Sequence, residues 1–134
     1  IAVGADIIAG FPTEDDAMFA NSLALIEQCD IVHGHIFSYS PKQGTPAARM
    51  PQLDGDVIKR RAKLLRNAVA GRARSWRRTL IGTRQNVLAE MSGDTGYAAN
   101  FARVTFDAPA SRGQIVPVDI TGMQDKQLIG RVAA

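Results

Sequence analysis

The spacing of apolar residues changes along this chain from strand-like runs to a helical period and back again. Residues 1–11 and 31–39 are nearly uninterrupted apolar runs, which predicts two buried β-strands. Between these runs, Phe19, Leu23 and Ile26 recur at helical spacing. A strand, a helix and a second strand in this order predict a βαβ unit, and the right-handed crossover rule makes its strands parallel.

The two predicted helices differ in length and in how they begin. Thr13 is the predicted N-cap of the first helix, because the three acidic residues after it would fill a first turn that favours negative charge. Residues 54–80 predict a second, longer helix with one apolar face. That face consists of Ile58, Ala62, Leu65, Val69, Ala73, Trp76 and Leu80.

After Arg84 the pattern becomes a series of short apolar runs separated by Gly, Pro, Asp and Ser. Runs of strand length lie at residues 87–91, 98–106, 114–121 and 127–132. Four or five strands in about fifty residues predict a small β-barrel, because closing the sheet removes its exposed edges.

Composition narrows the class of protein. With 134 residues, of which 46% are hydrophobic, the chain can form one core or two small ones. It has neither an apolar stretch of the roughly 20 residues that a membrane span needs nor a signal-peptide pattern, so we expect a cytoplasmic protein with no membrane partner. A single cysteine, Cys29, excludes an internal disulfide and a four-ligand thiolate site for a cluster or zinc.

The net charge of +3 conceals a strong segregation of charge along the chain. Residues 54–84 carry ten basic and two acidic side chains, whereas residues 1–53 carry two basic and six acidic ones. The remaining residues, 85–134, carry four basic and five acidic side chains. The excess positive charge therefore lies in the long helix and in the residues that follow it.

Two groups of basic residues make up this positive stretch. The first fits a solvated helix face as well as an acidic partner, and it consists of Lys59, Arg60, Arg61, Lys63 and Arg66. The second is denser, borders the predicted barrel and predicts contacts to RNA phosphates. Its members are Arg72, Arg74, Arg77, Arg78 and Arg84. Trp76 lies among them but falls on the apolar face, so we expect it to anchor a core rather than to stack on a base.

Two histidines share one face of the second strand. His33 and His35 are two residues apart, which places their side chains on the same side of a strand. Neither has a Cys or carboxylate partner nearby in the sequence, so we expect no metal site.

Two motifs about thirty residues apart each end an apolar run at Gly and Pro. They are DIIAGFPTE at residues 6–14 and HIFSYSPKQGTPAARMP at residues 35–51. With the basic helix and GYAANFARV at residues 96–104, they closely resemble the radical S-adenosylmethionine methylthiotransferases that modify tRNA. The resemblance covers essentially the whole chain and is greatest to the branch acting on N6-threonylcarbamoyladenosine at position 37.

This resemblance implies an α/β plus β fold with two domains. Residues 1–78 would form the C-terminal βαβα piece of a partial (β/α) radical-SAM barrel, including the long basic helix. Residues 79–134 would form a small TRAM-type β-barrel that binds RNA. The implied cofactor-binding residues are Ile8, Gly10, Phe37 and Tyr39: the first two match the family's strand-end motif, and the other two follow from their position on the final strand.

The family's cofactors are S-adenosylmethionine and two [4Fe-4S] clusters. The three-cysteine motif that binds a cluster is not in this chain, which also begins at Ile1 rather than Met. We therefore expect a C-terminal fragment that binds no cluster, contains no catalytic residue and is inactive by itself. Its apolar surface would meet the missing N-terminal cluster domain and barrel half, or a second copy.

The implied function is that of a tRNA methylthiotransferase acting on C2 of threonylcarbamoyladenosine at position 37. The fragment would complete the S-adenosylmethionine pocket and bind the tRNA anticodon loop. Two alternatives remain within the enzyme class: isopentenyladenosine or a ribosomal protein as the substrate. A third is an RNA-binding module without catalytic function.

Overall fold

The computed structural model describes all 134 residues, and its elements follow the predicted order. The first elements are β1 (Val3–Ala9), α1 (Asp16–Gln28), β2 (Ile31–Ser38), a short 3-10 helix at Ala47–Arg49 and α2 (Gly55–Thr79). Five strands follow, namely β3 (Arg84–Ala89), β4 (Thr95–Ala98), β5 (Arg103–Phe106), β6 (Ile115–Gln124) and β7 (Gln127–Val132). No helix of the chain combines the length and the apolar character needed to cross a membrane.

Two structural units share the chain. The first comprises Ala2–Ala73 and the second Arg74–Ala134, so that α2 begins in the first unit and ends in the second. Each unit has its own hydrophobic core. The mixed α/β fold with a small closed barrel is confirmed. The assignment of the first unit to a radical-SAM barrel and the domain boundary after residue 78 stay predictions.

The first unit is built on a parallel pair of strands. β1 and β2 pair over their whole lengths, with Asp6 opposite His35 and Ile8 opposite Phe37. Alternate residues of a strand point to opposite faces, so only one face of this pair packs against α1 and α2. The core on that face consists of Ala9, Ile26, Ile31, Ala62, Leu65 and Val69.

The start of α1 differs from the prediction. Asp15 is the N-cap, and its carboxylate accepts a hydrogen bond of 2.8 Å from the backbone N–H of Met18. Thr13 lies before the helix in a left-handed conformation with φ of 70°, so its predicted capping role is wrong. The turn before α1 is longer than the sequence indicates, and Glu14 within it makes a buried contact with Arg61 that is described below.

The second unit is a closed barrel with the strand order β3-β4-β5-β7-β6. All neighbouring strands are antiparallel except β5 and β7. Inward-pointing residues fill the barrel, as a small barrel requires. The largest of them that are fully buried are Val87, Val104, Val118, Ile120 and Leu128. Trp76 and Leu80 of α2 pack against this core, which confirms the structural role expected for Trp76.

One predicted strand, residues 98–106, is in fact two strands joined by a tight turn. Phe101 lies in that turn with φ of 63°, and its backbone N–H donates to the carbonyl of Ala98. The N–H of Ala98 in turn donates to the carbonyl of Ala102 at 2.9 Å. The apolar run is continuous in sequence, which hides the reversal of direction.

Replacing Gly96 with Ala should destabilise the barrel. A Cβ at this position would lie 2.0 Å from the carbonyl oxygen of Leu88, a backbone atom of the neighbouring strand that cannot move aside alone. We expect a loss of about 1–3 kcal/mol or more in the free energy of unfolding, measured by urea denaturation. Gly122→Ala is the matched control, because nothing lies within 4 Å of a Cβ there. Equal stabilities of the two variants would contradict the close approach of β3 and β4.

Candidate functional site

One face of the β1–β2 pair is not covered by the helices of its unit. We call it the open sheet face and define it by Asp6, Ile8, His35 and Phe37, which pair in register. Ile8 is 52% exposed and Phe37 is 51% exposed, and they lie side by side. Ile8 and Phe37 are two of the four predicted cofactor-binding residues, and the structure places them next to each other as an exposed apolar patch on this face.

Gly10, the third predicted residue, lies at the end of β1 in a turn with φ of 76°. A Cβ on Gly10 would come within 2.5 Å of Cγ1 of Ile58 on α2, so the glycine is required by helix packing as well as by its conformation. Its backbone N–H donates to Oε1 of Glu14 at 3.3 Å. The N–H that sequence reasoning left free for a ligand is therefore engaged within the chain.

Tyr39, the fourth predicted residue, follows β2 directly. Its backbone N–H donates to the carbonyl of Ala9 at 2.9 Å, and its ring meets that of Phe11 edge-on with 5.5 Å between centroids. The Tyr39 hydroxyl is buried and has no hydrogen-bond partner in the chain. A buried hydroxyl ordinarily has a partner, so a polar group from outside this chain is expected to supply one.

These features bear differently on the cofactors implied by the sequence. The exposed apolar patch of Ile8 and Phe37 and the unpaired hydroxyl of Tyr39 fit a ligand with a flat ring and polar substituents, such as S-adenosylmethionine. An iron–sulfur cluster needs several thiolates, and this chain has only Cys29. The single thiol does not fit a cluster, and the binding of a nucleoside such as S-adenosylmethionine at Ile8, Gly10, Phe37 and Tyr39 stays a prediction.

A buried arginine contacts the turn that follows β1. Arg61 of α2 is only 4% exposed, and its Nη1 donates to both the carbonyl and Oε1 of Glu14 at 2.7 Å. Its Nη2 donates to Oδ1 of Asp16 at 2.7 Å, and its guanidinium lies 5.3 Å from the ring centre of Phe19. Because Oε1 of Glu14 also accepts from Gly10, one carboxylate links the turn to α2.

Electrostatics explains why this arginine tolerates burial. Desolvation lowers the pKa of Arg61, but hydrogen bonds to Asp16 and Glu14 and their charges outweigh it and leave the pKa above its ordinary value. The guanidinium stays charged, and its one unsatisfied atom is Nε. The sequence predicts that Arg61 is either solvated or bound to an acidic partner, and its burial within the first unit contradicts that prediction. A sequence signal existed, because Arg61 directly precedes Ala62 on the apolar face of α2.

Three of the predicted RNA-binding arginines lie on the last turns of α2. Arg74, Arg77 and Arg78 are three and four residues apart, which places them side by side on the helix. Arg74 and Arg78 are exposed and make no ion pair. Arg77 is half-buried: desolvation and the charge of Arg74 lower its pKa, and its Nε is buried without a partner.

The other two predicted arginines are held by carboxylates. Arg72 makes an ion pair with Asp30 in the first unit, and the hydrogen bond between them raises the pKa of Arg72. Arg84 donates two hydrogen bonds to the carboxylate of Asp119, which lies opposite it on β6: Nε to Oδ1 at 2.6 Å and Nη2 to Oδ2 at 2.9 Å. The Arg84 hydrogen bond lowers the pKa of Asp119. Both pairs are exposed to solvent, and both arginines are already engaged by a carboxylate of this chain.

Comparison with known proteins gives relatives for nearly the whole chain. It is 38% identical over 125 residues to the threonylcarbamoyladenosine tRNA methylthiotransferase MtaB of Rickettsia prowazekii, a match that covers 93% of this chain. It is 36% identical over 142 aligned positions to the tRNA-2-methylthio-N(6)-dimethylallyladenosine synthase of two Stenotrophomonas maltophilia strains, over 100% of its length. The chain spans about 30% of the length of each relative. No family model matches it.

Replacing Arg61 with Met should destabilise the first unit. The substitution leaves the carboxylate of Glu14, whose side chain is 9% exposed, without its cationic partner. Removing one partner of a buried ion pair typically costs about 3–5 kcal/mol, which urea denaturation would measure. Arg60→Met is the matched control, because Arg60 is the exposed neighbour on the same helix. A loss no larger than that of the control would contradict the role of Arg61 as a clamp.

Proposed function

We propose, from the premise that this chain belongs to the tRNA methylthiotransferase family, that it binds tRNA and forms one wall of the S-adenosylmethionine pocket in such an enzyme. The relatives named above support the family and the tRNA substrate class. A cytoplasmic location is part of the proposal. The chain spans about 30% of each relative, and we propose the catalytic reaction for a protein of the relatives' full length.

For the pocket, the proposal rests on the open sheet face. Ile8 and Phe37 form an exposed apolar patch, and the buried hydroxyl of Tyr39 has no hydrogen-bond partner within the chain. When bound, S-adenosylmethionine supplies the radical precursor and the methyl group in this family. The role of this chain is to bind and orient it, with Arg61 fixing the turn at Gly10 through Glu14.

For the nucleic acid, the proposal rests on one observation. Arg74 and Arg78 are exposed, lie four residues apart on α2 and have no carboxylate partner. Two unpaired guanidinium groups one helical turn apart can each bind a phosphate through a fork of N–H donors. Their place in the last turns of α2 is also favoured by the helix dipole, a structural reason that does not exclude phosphate binding.

For the modified nucleoside, we propose threonylcarbamoyladenosine at position 37. The name of the Rickettsia prowazekii relative and the GYAANFARV segment support this choice. The second candidate is the dimethylallyl-type adenosine named for the Stenotrophomonas maltophilia relatives, because their match extends over the whole chain at nearly the same identity.

Binding of the chain to an anticodon stem-loop RNA should weaken with added salt through Arg74 and Arg78. Replacing both with Ala should lower the affinity and reduce the slope of log K against log salt by roughly 1.4 to 1.8, since each lost phosphate contact contributes about 0.7 to 0.9. Fluorescence anisotropy over a range of salt concentrations would measure this. Lys42→Ala is the control, being an exposed cation on a loop of the other unit. An unchanged slope in the double variant would contradict the proposal.

Deleting the gene that encodes this chain should remove a single methylthio-modified nucleoside from cellular tRNA. We expect the 2-methylthio derivative of threonylcarbamoyladenosine to disappear while its dimethylallyl counterpart persists, as measured by nucleoside mass spectrometry. Restoring the gene is the control. Loss of the dimethylallyl derivative alone would instead select the second candidate, and loss of neither would overturn both.

A further inference from the structure

The open sheet face has two layers of side chains along its strands. The first layer is the exposed apolar patch of Ile8 and Phe37, next to the strand ends and the turn at Gly10. Two residues earlier on each strand, Asp6 lies directly opposite His35. Side chains two residues apart on a strand point to the same face and are about 6.6 Å apart. Asp6 and His35, which we call the polar pair, therefore form the layer next to the apolar patch.

A carboxylate and an imidazole are unusual side chains for the face of a parallel sheet. Parallel strands normally have both faces covered, and they carry apolar side chains on both. The opposite face follows this rule, because Ala5, Ile7 and Ile36 pack into the core of the first unit. Any molecule that covers the open sheet face also covers Asp6 and His35, and covered polar groups need hydrogen-bond partners.

Neither member of the polar pair has an ionic partner within the chain. Both residues are exposed, and no ion pair of the chain includes Asp6 or His35. The chain also has no cluster of three metal-ligating side chains suited to a metal ion. A carboxylate only accepts hydrogen bonds, whereas an imidazole can donate one through its N–H. The pair therefore suits an organic ligand that carries both N–H or O–H donors and an acceptor.

We propose that the polar pair binds the polar substituent on N6 of the target adenosine and so selects the nucleoside. The inference rests on the proposed function and names the residues that choose between its two candidate substrates. A threonylcarbamoyl group offers N–H and hydroxyl donors to Asp6 and a carboxylate acceptor to the N–H of His35. A dimethylallyl group is a hydrocarbon and would leave both side chains without partners.

The position of the polar pair favours the substrate over other polar ligands. The pair borders the apolar patch of Ile8 and Phe37, which the proposed function assigns to S-adenosylmethionine. A nucleoside that reacts with a bound cofactor has to lie beside it. A site that hydrogen-bonds a substrate group rejects an analogue without that group strongly, because its own polar groups are then left unpaired. The polar pair therefore combines the right position with the right chemistry for selection.

Titration of the full chain with two free nucleosides tests this selection without the catalytic reaction. The wild type should bind N6-threonylcarbamoyladenosine roughly 10-fold or more tightly than N6-dimethylallyladenosine, the effect of one hydrogen bond to a charged group. NMR chemical shifts of the backbone amides and of the His35 ring would measure both affinities. His35→Leu should abolish the preference, as should Asp6→Val, whereas His35→Gln keeps an N–H donor and should retain it.

Ser38→Ala is the matched control for these variants. Ser38 is an exposed residue of the same strand, and alternation places its side chain on the opposite face. Its substitution should leave both affinities unchanged. Equal affinity of the wild type for the two nucleosides, or no binding of N6-threonylcarbamoyladenosine, would overturn the inference.

The same variants in the cell separate this inference from the proposed function. In the deletion strain, the wild-type gene should restore the 2-methylthio derivative of threonylcarbamoyladenosine, and His35→Gln should restore most of it. His35→Leu should restore about a tenth or less, as measured by nucleoside mass spectrometry. Full restoration by His35→Leu, or equal loss with His35→Gln, would overturn the inference and leave the proposed function intact. If the deletion itself removes neither methylthio derivative, both are wrong.

Discussion

The buried contact between Arg61 and Glu14 is the interaction on which the first unit depends. It links α2 to the turn after β1, and the same carboxylate oxygen accepts the N–H of Gly10. Without the guanidinium, Glu14 would be a desolvated charge in a turn that already has two residues at positive φ, Gly10 and Thr13. The position of the turn relative to the open sheet face therefore depends on a charge in α2 rather than on strand pairing alone.

In the barrel the corresponding constraint is the closeness of neighbouring strands. A Cβ on Gly96 would lie 2.0 Å from the carbonyl oxygen of Leu88. A Cβ on Gly130 would lie 2.3 Å from a methyl group of Val118. With the interior filled by Val, Ile and Leu, stability is supplied by inward positions. Outward positions do not contribute to this core, and the exposed Leu88, Tyr97 and Ile115 occupy three of them.

Local patterns predicted the elements well, and long-range contacts account for what they missed. The βαβ order, the long helix and the barrel follow from apolar spacing, and the parallel pairing of β1 and β2 follows from handedness. The burial of Arg61 does not, because it depends on contacts to Glu14 and Asp16, which lie 47 and 45 positions away in the chain. The cap at Asp15 was missed although it is local, because Thr13 is also a residue type that caps helices. The alignment of Arg103, Tyr97, Leu88 and Ile115 across four strands is likewise absent from local patterns, because only the strand register of the fold defines it.

Charge counts along a sequence overestimate the groups that are free to bind a polyanion. Of the five arginines that the sequence selects, Arg72 and Arg84 are held by carboxylates and Arg77 is half-buried. Two remain fully available, which is too few for tight binding by phosphate contacts alone, since binding through phosphates strengthens with the number of contacts.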